Sequence, residues 1–304
     1  NATVNPDKSG NVSFVSSATN AASYEYDFGN GIYETIPSGS VQHKYTTSGN
    51  YTVKVTAKSS SGAAISKSID ITVTVAMKLV WSDEFDTPGA PNSNKWGYDI
   101  GASGWGNNES QYYTDRRDNS YVTDGTLKIV AKKEAFSSSQ YTSARLLSKG
   151  KYSFKYGKVE VRAKLPLGVG TWPAIWMLGD NISTVSWPAC GEIDIMEHVG
   201  RDLNKIISAF HYPVYFGGNA KVATTMVPTA TTEFHVYKLE WTPVSMQIFV
   251  DDKLFHTLPN SPSIPYNQNF FILLNVAMGG NFGGSVDPNF SNATMEVDYI
   301  RVYQ

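Results

Sequence analysis

Apolar and polar positions alternate along much of this chain with the two-residue period of a half-buried strand. Tyr51–Ala57 reads Y-T-V-K-V-T-A, and Ile69–Val75 reads I-D-I-T-V-T-V. Lys158–Leu165 puts Val159, Val161, Ala163 and Leu165 on one face and charges on the other. Met246–Val250 and Lys253–Leu258 flank Asp251-Asp252, which predicts a hairpin. Glu296–Tyr303, E-V-D-Y-I-R-V-Y, predicts a closing strand. No stretch keeps a helical apolar period beyond two turns, so the pattern predicts an all-β chain.

Composition divides this pattern in two. The chain has 304 residues, enough for two domains or one large β unit. All seven Trp lie from Trp81 onward, while the first 75 residues are rich in Ser, Thr and Ala. A boundary is therefore expected at Ala76–Lys78, giving domains 1–76 and 77–304 with almost no linker. Aromatic chemistry, in the core or toward a ligand, is expected only in the second. A net charge of −2 excludes a basic nucleic-acid footprint and a polybasic membrane anchor. One cysteine, Cys190, excludes an internal disulfide and Cys-rich zinc sites. No apolar run approaches the roughly eighteen residues of a membrane span. No charged–apolar–small leader opens the chain at Asn1, so any signal peptide is expected to be already absent.

The chemistry concentrates in Gly191-Glu192-Ile193-Asp194-Ile195-Met196-Glu197-His198, three carboxylates inside an apolar run. On a regular strand Glu192 and Asp194 share a face and Glu197 points away. One extra residue, a β-bulge at Ile195–Met196, would return Glu197 to the face of Glu192. Retaining glycoside hydrolysis needs a nucleophilic carboxylate and a carboxylic acid about 5–5.5 Å apart. The two backbone positions are about 13 Å apart at about 3.3 Å per residue, a gap that two long Glu side chains can narrow. Glu192 is read as nucleophile and Glu197 as acid/base. Asp194 would hydrogen-bond Glu192, with repulsion among the three keeping a proton on one of them. A solvated acidic strand and a metal site with His198 or His211 are the competing readings; His198 would face the core. Trp172 and Trp176, four apart, share a strand face, and Trp187 lies five residues before Glu192. Indoles stack on the apolar faces of sugars.

Two family resemblances follow from motifs. Tyr26-Asp27-Phe28-Gly29-Asn30-Gly31, His43-Lys44-Tyr45 and Ser48-Gly49-Asn50-Tyr51-Thr52-Val53 resemble a PKD domain, an immunoglobulin-like β-sandwich. The family usually has Trp where Tyr26 stands and Asp where Asn30 stands. A spacer or packing role is expected of it. Trp172-Pro173-Ala174-Ile175-Trp176-Met177-Leu178 and Trp187-Pro188-Ala189-Cys190-Gly191 through Glu197 resemble glycoside hydrolase family sixteen, in its laminarinase branch. Further matches are Gly104–Glu109, Tyr156–Arg162, Asn275–Gly280 and Asp298–Tyr303, so the likeness runs from about Leu79 to Gln304.

That resemblance implies a β-jelly-roll sandwich with an open concave cleft and retaining endo-hydrolysis of β-1,3-glucan by Glu192, Asp194 and Glu197. It implies substrate contacts at Arg145, His211 and Asn107 beside the three tryptophans. It implies no cofactor for catalysis but a structural calcium held by Glu84, the Gly125 carbonyl and Asp298, whose oxygen donors suit a hard cation. The expected partner is a polysaccharide, with no nucleic acid and no membrane, and the chain is expected to be a secreted monomer. Hydrolysis of mixed-linkage glucan or agar-type galactan, and a jelly roll that binds polysaccharide without cleaving it, are the alternatives.

Overall fold

The computed structural model describes Asn1–Gln304. It divides into two compact units, Asn1–Lys78 and Leu79–Gln304.

In the first unit a three-stranded sheet (Ala2–Val4, Asn11–Val15, Ser40–Lys44) accompanies a four-stranded one. The latter runs in the order Tyr33–Ile36, Ala21–Asp27, Gly49–Ser59, Ala64–Val73. Its core corrects the expectation that aromatic packing belongs to the other unit. Phe14, Tyr24, Tyr26, Phe28 and Tyr45 are all buried. Tyr26 and Phe28 stack with centroids 5.8 Å apart, and the Phe28 ring lies 3.8 Å from that of His43. Counting Trp alone missed a core built from Phe and Tyr. Tyr hydroxyls here find backbone acceptors, Tyr45 on Phe28 O and Tyr26 on Gly39 O, so their burial leaves nothing unpaired. Gly29 and Gly31 take positive φ after the strand, as the turn requires. The strand expected over Ile69–Val75 ends at Val73; Ile71 and Val73 are buried, while Ile69 is exposed.

The second unit packs two sheets. Seven strands run in the order Lys221–Met226, Lys205–His211, Glu192–Glu197, Thr171–Gly179, Phe270–Met278, Arg145–Leu147, Gly97–Asp99. The other sheet has ten strands and includes Gly157–Lys164, His235–Trp241, Thr126–Phe136 and the closing strand Asn292–Tyr303. Inward residues alternate as the pattern predicts. Val159, Val161 and Ala163 from one sheet meet Ile175, Met177, Ile193 and Ile195 from the other in one core. Each fully buried Val, Ile or Met side chain among these contributes about 1.5–3 kcal/mol.

Phe270–Met278 is buried along its whole length. Its inward residues Ile272, Leu274 and Val276 join that core, and Phe271 and Leu273 form a smaller cluster with Leu147, Leu178 and Cys190. The Asp251-Asp252 hairpin has both residues at positive φ, the geometry that matches strand twist. The one α-helix is a single turn, Gly280–Gly283, and no helix is long and apolar enough to cross a membrane. His198 faces inward as expected and is fully buried, with neither ring nitrogen hydrogen-bonded. Burial pushes its pKa down to about 4.

Candidate active site

The strand Glu192–Glu197 lies inside the seven-stranded sheet, between Thr171–Gly179 and Lys205–His211. Its register slips once on each side. Trp176 opposes Asp194 but Ile175 opposes Met196, and on the other neighbour Asp194 opposes Ala209 while Glu197 opposes Ile207. Ile195 and Met196 therefore face the single residue Ser208, which is a β-bulge at the position read from the acid spacing. Ile193, Ile195 and Met196 are wholly buried in the core. The carboxylates turn the other way, where Glu192 and Glu197 remain partly exposed.

Burial raises all three acids, and the charge of Asp194 adds to it at Glu192 and Glu197. Burial, and then the charge of Asp194, pushes Glu192 up. Burial alone lifts Asp194, and burial followed by Asp194 lifts Glu197 to about 8. Such a set titrates together and does not carry three charges at neutral pH. Its members differ in their counter-charges. His211 favours the anionic form of both Glu192 and Glu197, and Arg145 adds to this at Glu192. Glu197 accepts a hydrogen bond from Trp172 Nε1 at 2.8 Å, which leaves its other oxygen available for a proton.

His211 joins this group from the neighbouring strand. The Gly217 amide donates to its Nδ1 at 3.1 Å. A neutral ring therefore carries its proton on Nε2, which lies 3.1 Å from Asp194 Oδ2 and 3.6 Å from Glu192 Oε1. The ring N–H is off the line to Asp194, whose Oδ2 is left without an aligned donor. No hydrogen bond links Asp194 to Glu192, contrary to the spacing argument. A peptide pattern locates both carboxylates on one face but does not orient their planes. Glu192, Asp194 and His211 place one ligand atom each within 4.8 Å of one another. A metal there would need Nε2 deprotonated, and Gly217 holds the opposite tautomer.

The remaining expected residues divide by exposure. Trp187 is 41% exposed and meets Phe216 edge-to-face at 5.4 Å, forming an aromatic corner beside His211. Trp172 and Trp176 share the cleft face but are engaged through their ring N–H groups, on Glu197 and on Asn275 Oδ1. Arg145 lies between two indoles, its guanidinium 4.7 Å from Trp176 and 4.9 Å from Trp105, with Nε 3.0 Å from Asp99 Oδ2. Asn107 turns its amide to Glu109 at 3.3 Å. Sequence reasoning missed Phe216, Asn275, Tyr113, Glu109 and Tyr266. The hydroxyl of Tyr266 is shared between the carbonyls of Glu192 and His211, at 3.1 and 3.0 Å. The alternation Glu109, Gln111, Tyr113 was the available signal for one of these groups.

The two acids of the expected calcium set are each paired with an arginine. Arg301 grips both oxygens of Glu84, with Nη2 2.8 Å from Oε2 and Nε 3.1 Å from Oε1. Arg162 Nη1 donates to Asp298 Oδ2 at 2.5 Å. Gly125 sits in a two-residue turn at positive φ. Guanidinium groups supply the positive charge at both acids, so the residues as arranged do not fit a cation. The resemblance implied ligands, but Arg301 on the strand Asn292–Tyr303 reaches Glu84, and Arg162 on Gly157–Lys164 reaches Asp298.

Comparison with known proteins matches residues 107–301 to the family described as glycosyl hydrolases family 16. The chain belongs to glycosyl hydrolases family 16. Residues 2–75 match the PKD domain. A beta-glucanase of Rhodothermus marinus is 47% identical over 243 residues, covering 75% of this chain and 85% of that protein. A glucan endo-1,3-beta-glucosidase of Cryptopygus antarcticus is 37% identical over 251 residues, covering 74% of this chain and 92% of that protein. The solved laminarinase structure from Rhodothermus marinus superposes with a TM-score of 0.73 at 47% identity, over 75% of this chain and 98% of that one. The second unit is thus a family 16 β-jelly roll with an open cleft. Glycosidases of this family need no catalytic cofactor.

Proposed function

We propose that this family 16 chain is a retaining endo-β-1,3-glucanase that cleaves laminarin-type glucan outside the cell. The observation that carries this is the bulge at Ile195–Met196, which puts Glu192 and Glu197 on the cleft face of one strand. Glu192, whose Oε1 lies 3.6 Å from His211 Nε2, attacks the anomeric carbon. Glu197 gives its proton to the departing glycosidic oxygen, and a glycosyl ester of Glu192 results. Glu197, now a base, takes a proton from water as that water attacks the same carbon. The ester breaks, Glu192 leaves as carboxylate, and the product keeps the β configuration.

A raised Glu197 suits this cycle, since a general acid must hold its proton at working pH. Activity therefore needs one proton lost from the set and one kept. The alkaline limb of a kcat/KM profile is expected near pH 8, where Glu197 gives up its proton. Trp187 and Phe216 offer exposed ring faces to the sugar, and an open cleft admits the middle of a long chain. A polymer of that size is met outside the cell, which is the support for secretion.

Release of reducing sugar from laminarin, lichenan, agarose and carrageenan tests the reading. Laminarin is expected to be cleaved fastest. Faster release from lichenan or agarose would move the substrate to mixed-linkage glucan or galactan. Release from none, with binding retained, would make the jelly roll a polysaccharide-binding module.

A further inference from the structure

A second polar network lies apart from the acid cluster and ends on one carboxylate. Glu109 accepts from Gln111 Nε2 at 2.6 Å, from Tyr113 Oη at 3.2 Å and from Asn107 Nδ2 at 3.3 Å. Gln111 is held in turn, its Oε1 accepting the Met278 amide at 2.8 Å. Beyond Tyr113 the direction of every bond is forced. An indole N–H can only donate, so Trp176 gives its proton to Asn275 Oδ1 at 2.8 Å. The other end of that amide is then the NH2, and it donates to Tyr113 Oη at 3.0 Å. Tyr113 accepts there and has its own proton for Glu109 Oε2. Three donors point in succession at one acceptor.

Tyr113 and Asn275 are buried, so water does not replace a broken link cheaply. Burial pushes the Glu109 carboxyl up, yet either protonation state leaves an oxygen to accept from Tyr113. At the far end of the chain stands the Trp176 indole, whose face carries the Arg145 guanidinium. Trp105 closes on the other side of that guanidinium. The loop bearing Trp105 is itself clamped, since the Asn107 carbonyl accepts the Asn281 amide at 2.8 Å. A Cβ on Gly280 would lie 2.7 Å from that carbonyl, so only glycine permits the approach.

We propose that Glu109 is a positioning residue for sugar recognition: as terminal acceptor of the relay Trp176–Asn275–Tyr113–Glu109 it fixes the indole plane of Trp176 and the guanidinium of Arg145 stacked on it. It thereby sets how tightly the glucan is held, and not how fast the bond breaks. This rests on the glucanase reading, in which Trp176 and Arg145 face the sugar.

The test compares Glu109→Leu, Tyr113→Phe and Glu109→Gln in the full chain. Leu removes the acceptor, Phe removes the middle link at nearly constant volume, and Gln keeps an acceptor. The first two are expected to raise KM for laminarin about five- to tenfold with kcat within about twofold, while Gln stays near wild type. The Trp176 indole N–H resonance should move in the first two variants and hold in the third. An unchanged KM, or a kcat that falls in step with kcat/KM, would overturn the proposal. Should Glu109→Leu fail to fold, Tyr113→Phe decides alone. Wild-type protein inert on laminarin would refute the glucanase reading instead; the indole resonance then still reports the relay, and its staying put in Tyr113→Phe would refute that too.

Discussion

Glu84 and Glu296 belong to the ten-stranded side of the catalytic unit, Glu192 and Glu197 to the seven-stranded side, and the same side chain meets opposite surroundings in the two places. Arg301 holds the Glu84 carboxyl below its ordinary value. Burial works against Glu296, but Lys128 and Lys164 outweigh it and its pKa falls. In the cleft, burial pushes Glu192 and Glu197 up, and no lysine or arginine bonds either one. Arg145 approaches the cleft yet spends its Nε side on Asp99 and its faces on two indoles. The chain therefore has cations to spare for acids, and withholds them where a mobile proton is needed. Unpaired buried acids cost stability, and that cost marks the site that does chemistry.

The largest expected effect comes from removing the charge on the cleft side. Glu192→Gln should lower kcat by about a thousandfold or more while adding about 1 kcal/mol of stability at pH 8. The sign follows from linkage. A carboxyl whose folded-state pKa is raised binds more protons folded than unfolded, so its stabilisation is present at low pH. It is lost as pH rises from about 4.5 through about 8. Thermal melts at pH 5 and pH 9 should then separate wild type from variant only at the higher pH. A variant less stable than wild type at pH 9 would remove the argument that the buried acid costs stability.

On the paired side the effect is smaller and opposite. Arg301→Met should cost about 0.5–1 kcal/mol, since the pair is a third exposed, and leave kcat unchanged. Glu84 has a lowered pKa, so this contribution is present above the unfolded pKa and disappears as pH falls through the folded one. A loss of activity in Arg301→Met would tie the two sides together. Smallest of all, a chelator should leave the melting temperature where it was. A drop restored by calcium would show that a cation displaces the guanidinium from Glu84 or Asp298.

The sequence carried the bulge and the strand faces because each depends on a local period, and the second-unit fold came with the family resemblance. One residue too many between Asp194 and Glu197 is visible in a string of letters. What stayed hidden depends on neighbours far apart along the chain. Arg301 reaches Glu84 across 217 positions, and Asn275 meets Tyr113 across 162. The direction of the Trp176–Glu109 relay appears only when all four side chains are in place. His211 could be placed beside the acids, but its tautomer depends on an amide in the following loop. In the first unit the absence of Trp concealed an aromatic core, since Phe and Tyr fill the same space.

One measurement bears most directly on the claim that a bulged strand offers nucleophile and acid on a single face. Proton NMR of a fresh laminarin digest reads the anomeric form of the new reducing end before mutarotation mixes it. The account predicts β product first, with α appearing later. Initial α product would mean a single displacement by water, and Glu192 would not be the nucleophile.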